Sequence, residues 1–272
     1  MTASEGSEPM GMPAPLTPKS ARVMAAVKLH RHTGRMRSGL FLAEGPNLVE
    51  AAAAHGMVDE VFATAAAAER HQGMLRDLPV TLVTEPAAKA LSDTVTPSGL
   101  IAVCRIPEPR LDAVLAEKPA LIAVAVDLSE PGNARHVDPD RACDGSRRRG
   151  LRRPERDPYN GKCLRSSAGS IFSVPVISEP DTAELLSRLR SAGLQLMATT
   201  LDGDTSLDDA MLAVPTAWVF GPESQGLSEA VTAFADHRVA IPMAAGAESL
   251  NVAAAAAVCL YQSARAQRHR LG

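Results

Sequence analysis

The sequence predicts an α/β protein with a small N-terminal domain and a larger, mostly parallel C-terminal domain. Strand-like apolar runs alternate with helix-like segments along the chain. After a proline-punctuated stretch, this order restarts with LIAVAVDL, which is apolar throughout, as strands buried on both faces of a parallel sheet are. The chain has 272 residues, of which 46% are hydrophobic, so it is long enough to bury two cores.

The N-terminal domain is predicted to span residues 17–105. ARVMAAVKLHRHTG has a helical pattern, and GLFLAEGPNLVEAAAAHG indicates a strand, a Gly-Pro turn and a helix. VDEVFATAAAAERH and PVTLVTEPAAKALSDTV repeat the order of strand and helix. Residues 1–16 are small, polar and rich in proline, which predicts a disordered tail. The proline-punctuated residues 106–119 are predicted to be a linker.

The C-terminal domain is predicted to span residues 120–272. We expect strands in LIAVAVDL, VPVIS, LQLMATT, TAWVFG and HRVAIP, and helices in DTAELLSRLRSAG, GLSEAVTAFAD and SLNVAAAAAVCLYQSARAQRHR. Parallel α/β sheets bind ligands beyond the carboxyl ends of their strands. The loops PGN, GPESQG and PMAAGAESLN follow three of these strands and are the candidate ligand loops.

Charge and cysteine content limit the function classes. The net charge is −3, so any preference for nucleic acid must come from a local patch. One such patch, here called the basic cluster, lies near the N-terminus and is either an RNA-binding surface or a solvated helix face. Its members are Lys19, Arg22, Lys28, His30, Arg31, His32, Arg35 and Arg37.

The four cysteines are widely spaced and form no Cys-x-x-Cys pair, which predicts a protein without a bound metal. No charged start followed by an apolar run marks a secretory signal, so we expect a cytoplasmic protein. The longest strongly apolar stretch, residues 252–260, is too short to cross a membrane.

Two glycine-rich or capping stretches suggest a site but do not prove one. Gly221 and Gly226 would let backbone amides approach a ligand, and Glu223 would lie where the N–H groups of a following helix favour a carboxylate. A tight connection between a strand and a helix would explain the same pattern. Ser249 and Asn251 precede the last helix, where both are ordinary capping residues.

Taken together, FGPESQGLSEAV and IPMAAGAESLNVAAAAAV resemble motifs two and three of the SpoU/TrmH family of S-adenosylmethionine-dependent RNA ribose 2'-O-methyltransferases. PGN after an apolar strand resembles the opening of motif one. GLFLAEGPNLVEAA and LSDTVTPSGLIAVC are similar to the small substrate-binding domain of several members. The resemblance covers residues 20–265.

The resemblance implies a SPOUT methyltransferase domain with a trefoil knot, an exception to the general avoidance of knots in proteins. It further implies a homodimer and an RNA substrate, with ribosomal RNA favoured over transfer RNA. The short apolar stretches separately predict no membrane association. The implied cofactor contacts are Thr199, with Thr200 close by, Gly221, Ile241 and Leu250. The implied catalytic residues are Asn133, Glu223, Ser249 and Asn251.

Motif one departs from the family pattern after PGNA. An arginine that helps to activate the ribose hydroxyl or hold phosphate is expected six residues after Asn133, but Pro139 stands there. Residues 135–156 are rich in arginine and show neither a helical nor a strand period. We therefore expect an exposed, poorly ordered segment in place of the family's helix and strand.

A reading-frame error explains this segment. Read one base out of frame, the codons of Arg135 to Ala142 can encode the family-like G-T-L-I-R-T-A, with arginine in the slot of Pro139. The chain contains 23 arginines and 5 lysines, as a GC-rich gene would encode. The alternative is a genuine basic insertion that contacts RNA phosphates. Two functions stay open: an active methyltransferase, or a catalytically impaired, RNA-binding relative.

Overall fold

The computed structural model describes residues 14–126, 157–222, 225–243 and 250–271. Contacts divide the chain into two compact units. Unit 1 contains Met1–Glu108 and Asp157–Val176, and unit 2 contains Pro109–Arg156 and Ile177–Gly272. In each unit helices cover a sheet, so the predicted α/β class is confirmed.

Helices and strands alternate along most of the described chain. The helices are α1 (Ala21–Val27), α2 (His32–Ser38), α3 (Pro46–Ala54), α4 (Ala65–Arg70), α5 (Gln72–Leu75), α6 (Glu85–Leu91), α7 (Leu111–Ala116), α8 (Gly161–Ser167), α9 (Thr182–Ser191), α10 (Glu229–Thr232) and α11 (Val252–Leu271). The strands are β1 (Leu40–Glu44), β2 (Val58–Ala63), β3 (Val80–Leu82), β4 (Leu100–Arg105), β5 (Leu121–Ala125), β6 (Gln195–Thr199), β7 (Thr205–Ser206), β8 (Thr216–Phe220) and β9 (His237–Ala240). Short 3₁₀ helices span Lys28–His30 and Ser170–Ser173.

Unit 1 is built on a mixed four-stranded sheet in the order β1-β4-β2-β3. β4 runs antiparallel to both β1 and β2, whereas β2 and β3 are parallel. Successive side chains of a strand point to opposite faces, and here both faces are apolar. In β1, Phe41 packs into a core with α3 and α8, and Leu42 packs into a second core with α1 and α6. The apolar runs of these strands therefore reflect burial on two sides.

Unit 2 is built on a five-stranded sheet in the order β5-β8-β6-β9-β7, in which every neighbouring pair is parallel. This confirms the mostly parallel sheet that the apolar strands predicted. Leu196 packs with α7 and α9 on one face, whereas Met197 and Trp218 pack with α11 on the other. Trp218 is fully buried, and its Nε1 donates to Ser263 Oγ of α11 over 2.8 Å. This bond satisfies the indole N–H inside the core.

In the second half, one predicted strand is wrong, one predicted helix is shorter than expected, and one strand was missed. VPVIS forms no strand, because Pro175 lacks a backbone donor and Val174 is exposed. GLSEAVTAFAD forms only the short α10, capped by Ser228, whose Oγ accepts from Val231 N–H at 3.4 Å. The two-residue strand β7 was not expected from the sequence at all.

The predicted domain bounds differ from the observed contacts at three places. Leu16, placed in the tail, pairs with β3 through a 2.8 Å bond from its N–H to Leu82 O. α7 lies in the predicted linker, and Leu111 is buried in the core of unit 2. Residues 157–176, assigned to the C-terminal domain, pack in unit 1. The predicted aberrant segment 135–156 lies outside the described residues, and the trefoil knot stays a prediction.

Candidate active site

Three predicted cofactor residues meet at one edge of the parallel sheet. β8, β6 and β9 are adjacent in that order, and their registers pair Ala198 with Val219 and Thr199 with Val239. Thr199 ends β6, Gly221 directly follows β8, and Ile241 directly follows β9. The three residues therefore lie side by side at the carboxyl edge, where sheets of this kind bind ligands.

Gly221 occupies a position that leaves no room for a side chain. A Cβ there would lie 2.7 Å from the carbonyl carbon of Gly226 and 2.8 Å from Leu227 N, both backbone atoms that a side-chain rotation cannot move. Gly226 itself has a φ of 65°, and its N–H donates to Pro222 O over 2.8 Å, which closes the turn. Gly221 therefore lets the backbone at Gly226 and Leu227 pack directly against it.

The hydroxyls of Thr199 and Thr200 differ in their environment. Thr199 Oγ1 donates to Val219 O at 3.2 Å and so joins β6 to β8. Thr200 N–H donates to Val239 O at 3.1 Å. Its buried Oγ1 has no partner within hydrogen-bond distance among the described residues, although, after the Arg238 guanidinium, it helps to lower the pKa of the Asp202 carboxyl. Leaving a buried hydroxyl unpaired costs about 1–3 kcal/mol, which a bound polar ligand could offset. Thr200 is thus a better candidate ligand contact than Thr199.

These observations fit S-adenosylmethionine. The nucleoside and amino-acid parts of this cofactor need hydrogen-bonding groups and close backbone approach, which Thr200 and the Gly221–Gly226 turn supply. The side chain of Ile241 packs against the core of unit 2, so it offers its backbone to the edge. The sequence analysis missed a close backbone approach near this edge: a Cβ on Gly203 would lie 2.5 Å from Ala240 N. The Asp-Gly-Asp run after β6 was the available signal.

The other two described site residues, Leu250 and Asn251, directly precede α11. Asn251 caps the helix, because its Oδ1 accepts from Ala253 N–H at 3.0 Å and from Ala254 N–H at 3.4 Å. Leu250 precedes it and is 38% exposed. Val252 packs against the same core cluster as Ile241. The helix start and the end of β9 therefore share one part of the core, while Asn133, Pro139, Glu223 and Ser249 lie outside the described residues.

The basic cluster contains cations in two kinds of environment. Arg35 is buried, and its Nε donates to Asp157 Oδ2 at 2.7 Å, so the expectation that Arg35 contacts RNA phosphate is wrong. Arg22 pairs with Glu60 and donates to Thr81 Oγ1 at 3.0 Å. The other lysines and arginines of the cluster are exposed and are the candidates for phosphate contact: Lys19, Lys28, Arg31 and Arg37.

Nothing in the described chain adds a metal or thiol chemistry to the site. Within the described ranges, no group of histidine, cysteine and acidic residues could hold a metal ion. Burial raises the pKa of Cys104 and of Cys259 to about 12, so these thiols are neutral at physiological pH. In the part of the chain that the structure describes, no helix is both long and apolar enough to cross a membrane.

Two family models match the chain. The SpoU rRNA Methylase family matches residues 120–261, which include the carboxyl edge of the parallel sheet. The MRM3-like substrate binding domain matches residues 20–102, which include the basic cluster from Arg22 onward and the mixed sheet.

Several curated proteins are similar over most of their length. An uncharacterised tRNA/rRNA methyltransferase of Synechocystis is 32% identical, with 88% of this chain and 89% of the relative covered. The 23S rRNA (guanosine(2553)-2'-O)-methyltransferase of Bacillus subtilis is 30% identical over 89% and 96% of the two chains. The 23S rRNA (uridine(2479)-2'-O)-methyltransferase of Streptomyces viridochromogenes is 31% identical over 85% and 84%.

Solved structures show the same architecture. A crystal structure of an RNA 2'-O ribose methyltransferase has a TM-score of 0.71 and 31% identity, covering 94% of this chain and 99% of its own. The SpoU methyltransferase AviRb from Streptomyces viridochromogenes, in complex with S-adenosylmethionine, has a TM-score of 0.72 and 27% identity, covering 93% and 100%.

Proposed function

Because the chain belongs to the SpoU rRNA methylase family, we propose that it methylates a ribose 2'-hydroxyl of 23S rRNA with S-adenosylmethionine as methyl donor. The observation that carries this proposal is the meeting of Thr199, Gly221 and Ile241 at the carboxyl edge of the parallel sheet. That edge lies in the region matched by the methylase family. An rRNA substrate also implies that the protein acts in the cytoplasm, where ribosomes are found.

The cofactor supplies an electrophilic methyl group when it is bound. The Gly221–Gly226 turn and Thr200 would hold it, the turn through backbone groups and Thr200 through its buried hydroxyl. Asn133, Glu223, Ser249 and Asn251 are the proposed catalytic residues, which would orient the ribose and its hydroxyl. In-line positioning and removal of the hydroxyl proton are the two effects that accelerate such a transfer.

The relatives support the RNA class more than the nucleotide. Two of them are named for 2'-O-methylation of 23S rRNA, one at a guanosine and the other at a uridine, although each is about equally similar to this chain. Sequence similarity therefore does not identify the base of the methylated nucleotide. The match of unit 1 to a substrate-binding domain supports recognition of the RNA by that unit.

A labelled methyl-transfer assay tests the proposal. The full chain is incubated with methyl-labelled S-adenosylmethionine and, in separate reactions, 23S rRNA, 16S rRNA and bulk tRNA from a host that lacks this gene. We expect label only in 23S rRNA. Label only in tRNA would overturn the proposed substrate, and calorimetry that finds no S-adenosylmethionine binding would overturn the cofactor assignment.

Pro139 supports a second candidate function. Arginine is expected in its slot, and without that residue motif one lacks the group that helps to activate the hydroxyl. The second candidate is a protein that binds RNA and S-adenosylmethionine but transfers the methyl group slowly or not at all. Binding of both ligands without detectable product would favour it.

We also propose that the protein acts as a homodimer through an exposed apolar face of α11. Ala254, Ala257, Val258 and Tyr261 recur at helical spacing along α11, and Tyr261 is 62% exposed. Helix positions three and four residues apart lie on one face, so these side chains form a continuous apolar strip. A second copy of the chain is the proposed occupant, because a self-complementary strip suits a two-fold interface.

Analytical ultracentrifugation tests the dimer. The unaltered chain should sediment with twice the chain mass of 28.5 kDa, and Tyr261→Arg should sediment as a monomer because it places a charge in the strip. Val95→Arg is the matched control, since Val95 is fully exposed in unit 1. A monomeric unaltered chain, or a Tyr261→Arg variant that stays dimeric, would contradict this interface.

A further inference from the structure

The charged residues of α11 are confined to the second half of the helix. Residues 252–264 contain no charged side chain, whereas residues 265–271 contain three arginines, one histidine and no acidic residue. Arg265, Arg268 and His269 are three and four residues apart, so they lie on one face of the helix, and all three are exposed. These three residues are here called the α11 patch. Because the net charge of the chain is −3, the patch is a local concentration of positive charge and not part of a generally basic surface.

The α11 patch lies near the amino edge of the parallel sheet, at the opposite end of the strands from the candidate cofactor edge. Gln267 Nε2 donates to Ala120 O at 2.9 Å, directly before β5, and to Val214 O at 3.0 Å, shortly before β8. The start of α11, which Asn251 caps, shares its part of the core with the end of β9. Since each helical residue advances about 1.5 Å, Arg265 lies about 20 Å along the helix from Asn251.

The guanidinium groups of Arg265 and Arg268 are not engaged by the described part of the chain. Neither forms a hydrogen bond or an ion pair with another described residue. Asp208 and Arg265 line the same cleft but are not paired. By contrast, Arg188 on α9 of the same unit pairs with Asp112. The arginines of the α11 patch are therefore available to an external anion.

The helix dipole does not account for Arg265. The dipole favours cations within the last turn of a helix. Arg265 lies six residues before Leu271, the last residue of α11, and so precedes that turn. No acidic residue lies three or four positions away on the helix to pair with it. A role outside the helix is therefore left for this cation.

A cleft beside Arg265 adds an apolar surface to the patch. Arg265, Ala266 and His269 line it on the α11 side, and the loop before β8 lines it on the other side, with Met211 70% exposed. A guanidinium binds phosphate through two N–H groups, and a neighbouring apolar side chain can contact a ribose or a base. RNA presents both kinds of group next to each other.

We propose that the α11 patch binds RNA phosphate and forms a second RNA contact of unit 2, about 20 Å from the start of α11. This inference rests on the proposed function, in which the substrate is an RNA. RNA is favoured over an acidic protein because the proposed substrate is itself a polyanion. The patch contributes to RNA affinity and not to the chemical step, since it lies far from the residues proposed to hold the reacting groups.

Filter binding of the full chain to 23S rRNA across a salt series tests the patch. Arg265→Ala/Arg268→Ala should bind at least about fivefold more weakly at low salt. The slope of log K against log salt should fall by about 1.5, since each lost phosphate contact lowers it by about 0.7 to 0.9. Arg265→Lys/Arg268→Lys keeps both charges and should retain the slope. Arg110→Ala/Arg188→Ala is the matched control, because it removes the same charge from unit 2 at arginines that pair with Asp112.

Kinetics and stability separate RNA binding from other roles of the patch. In the double alanine variant, the KM for RNA should rise at least about fivefold with kcat unchanged within about twofold, and S-adenosylmethionine affinity should stay constant by calorimetry. An unchanged salt slope with a lowered unfolding temperature would show that the arginines serve the helix alone, which would overturn the proposal. An equal loss of slope in the control variant would overturn it as well, because net charge would then explain the effect.

Polyglutamate is the probe for an acidic protein partner. Unchanged binding of 23S rRNA by the double alanine variant, together with lost binding of polyglutamate, would assign the patch to such a partner and overturn the proposal.

The salt slopes are measured without the methyl donor, so they do not depend on catalysis. An unaltered chain that binds 23S rRNA but transfers no methyl group would count against the proposed function. In that case the salt slopes still uphold or overturn the α11 patch.

Discussion

The carboxyl edge of the parallel sheet and the basic cluster of unit 1 are both candidate ligand surfaces. They differ in the chemical groups that would contact the ligand. At the sheet edge, backbone conformation shapes the site, since Gly221 approaches the backbone of Gly226 too closely for any side chain. In the basic cluster, side-chain charge is the only signal. One of its arginines, Arg35, turns out to be buried and paired with Asp157.

This difference shows which sequence patterns predict the location of a functional residue. A strand end in a parallel sheet has a defined location, so residues that follow adjacent strands must converge. A run of cations has no such constraint, because burial decides which of them reaches solvent. Arg35 and Arg37 are two residues apart on α2, yet the first is buried and the second is exposed. Four experiments test this difference between the two surfaces.

Restoring motif one should produce the largest effect at the sheet edge. In the test chain, the frame-corrected sequence replaces residues 135–156, so arginine stands in place of Pro139. This chain should transfer methyl groups at least about 100-fold faster than the chain as written. A rate change of this size is typical when a group that assists proton transfer is gained or lost. Single-turnover rates with labelled cofactor measure the change. Pro139→Ala, which adds no arginine, should not accelerate the reaction.

Equal rates from the restored chain and the chain as written would overturn the frameshift interpretation. Resequencing the gene is an independent check, because compensating insertions and deletions near codons 135 and 157 should appear in the DNA.

Gly221→Ala should weaken S-adenosylmethionine binding at least about tenfold. The added Cβ would lie 2.7 Å from the backbone of Gly226, so the turn must shift whatever the cofactor does. Calorimetry measures the affinity, and thermal unfolding should remain cooperative. Gly73→Ala is the matched control, since a Cβ at Gly73 has no neighbour within 4 Å. Unchanged affinity in Gly221→Ala would remove this turn from the cofactor site.

Neutralising Arg31 and Arg37 together should lower RNA affinity and its dependence on salt. Removing one cation that neutralises a phosphate reduces the slope of log K against log salt by about 0.7 to 0.9, so the double alanine variant should lower the slope by about 1.5. Filter binding across a salt series gives the slope. Arg110→Ala, exposed in unit 2, is the control. A slope equal to that of the unaltered chain would make the basic cluster a solvated helix face.

Thr200→Val should have the smallest effect, a decrease of about fivefold in cofactor affinity. The variant removes a hydroxyl that has no partner within hydrogen-bond distance among the described residues, and one neutral hydrogen bond contributes about 1 kcal/mol. Stability should stay constant or rise, because no buried polar group remains unpaired. Thr205→Val, on β7, is the control. Reduced stability with unchanged affinity would show that the hydroxyl serves the fold alone.

The sequence predicted the parallel sheet and the convergence of Thr199, Gly221 and Ile241 because both depend on strand order and periodicity. It did not predict the packing of residues 157–176 in unit 1, which depends on long-range contacts such as Tyr159 with Phe41. It also failed at VPVIS, since local apolar content cannot report whether a strand partner is present. The predicted contact of Arg35 with RNA was wrong for a similar reason. Its partner Asp157 is 122 positions away in the sequence, so local pattern could not reveal the pair.

Analysis of the reaction product tests the central claim most directly. After incubation with methyl-labelled S-adenosylmethionine and 23S rRNA, the RNA is digested to nucleosides and separated by chromatography, for both the chain as written and the chain with motif one restored. The account predicts that the label elutes with a 2'-O-methylated nucleoside, and that the restored chain yields more of it. Label on a base, or no label from either chain, would contradict it.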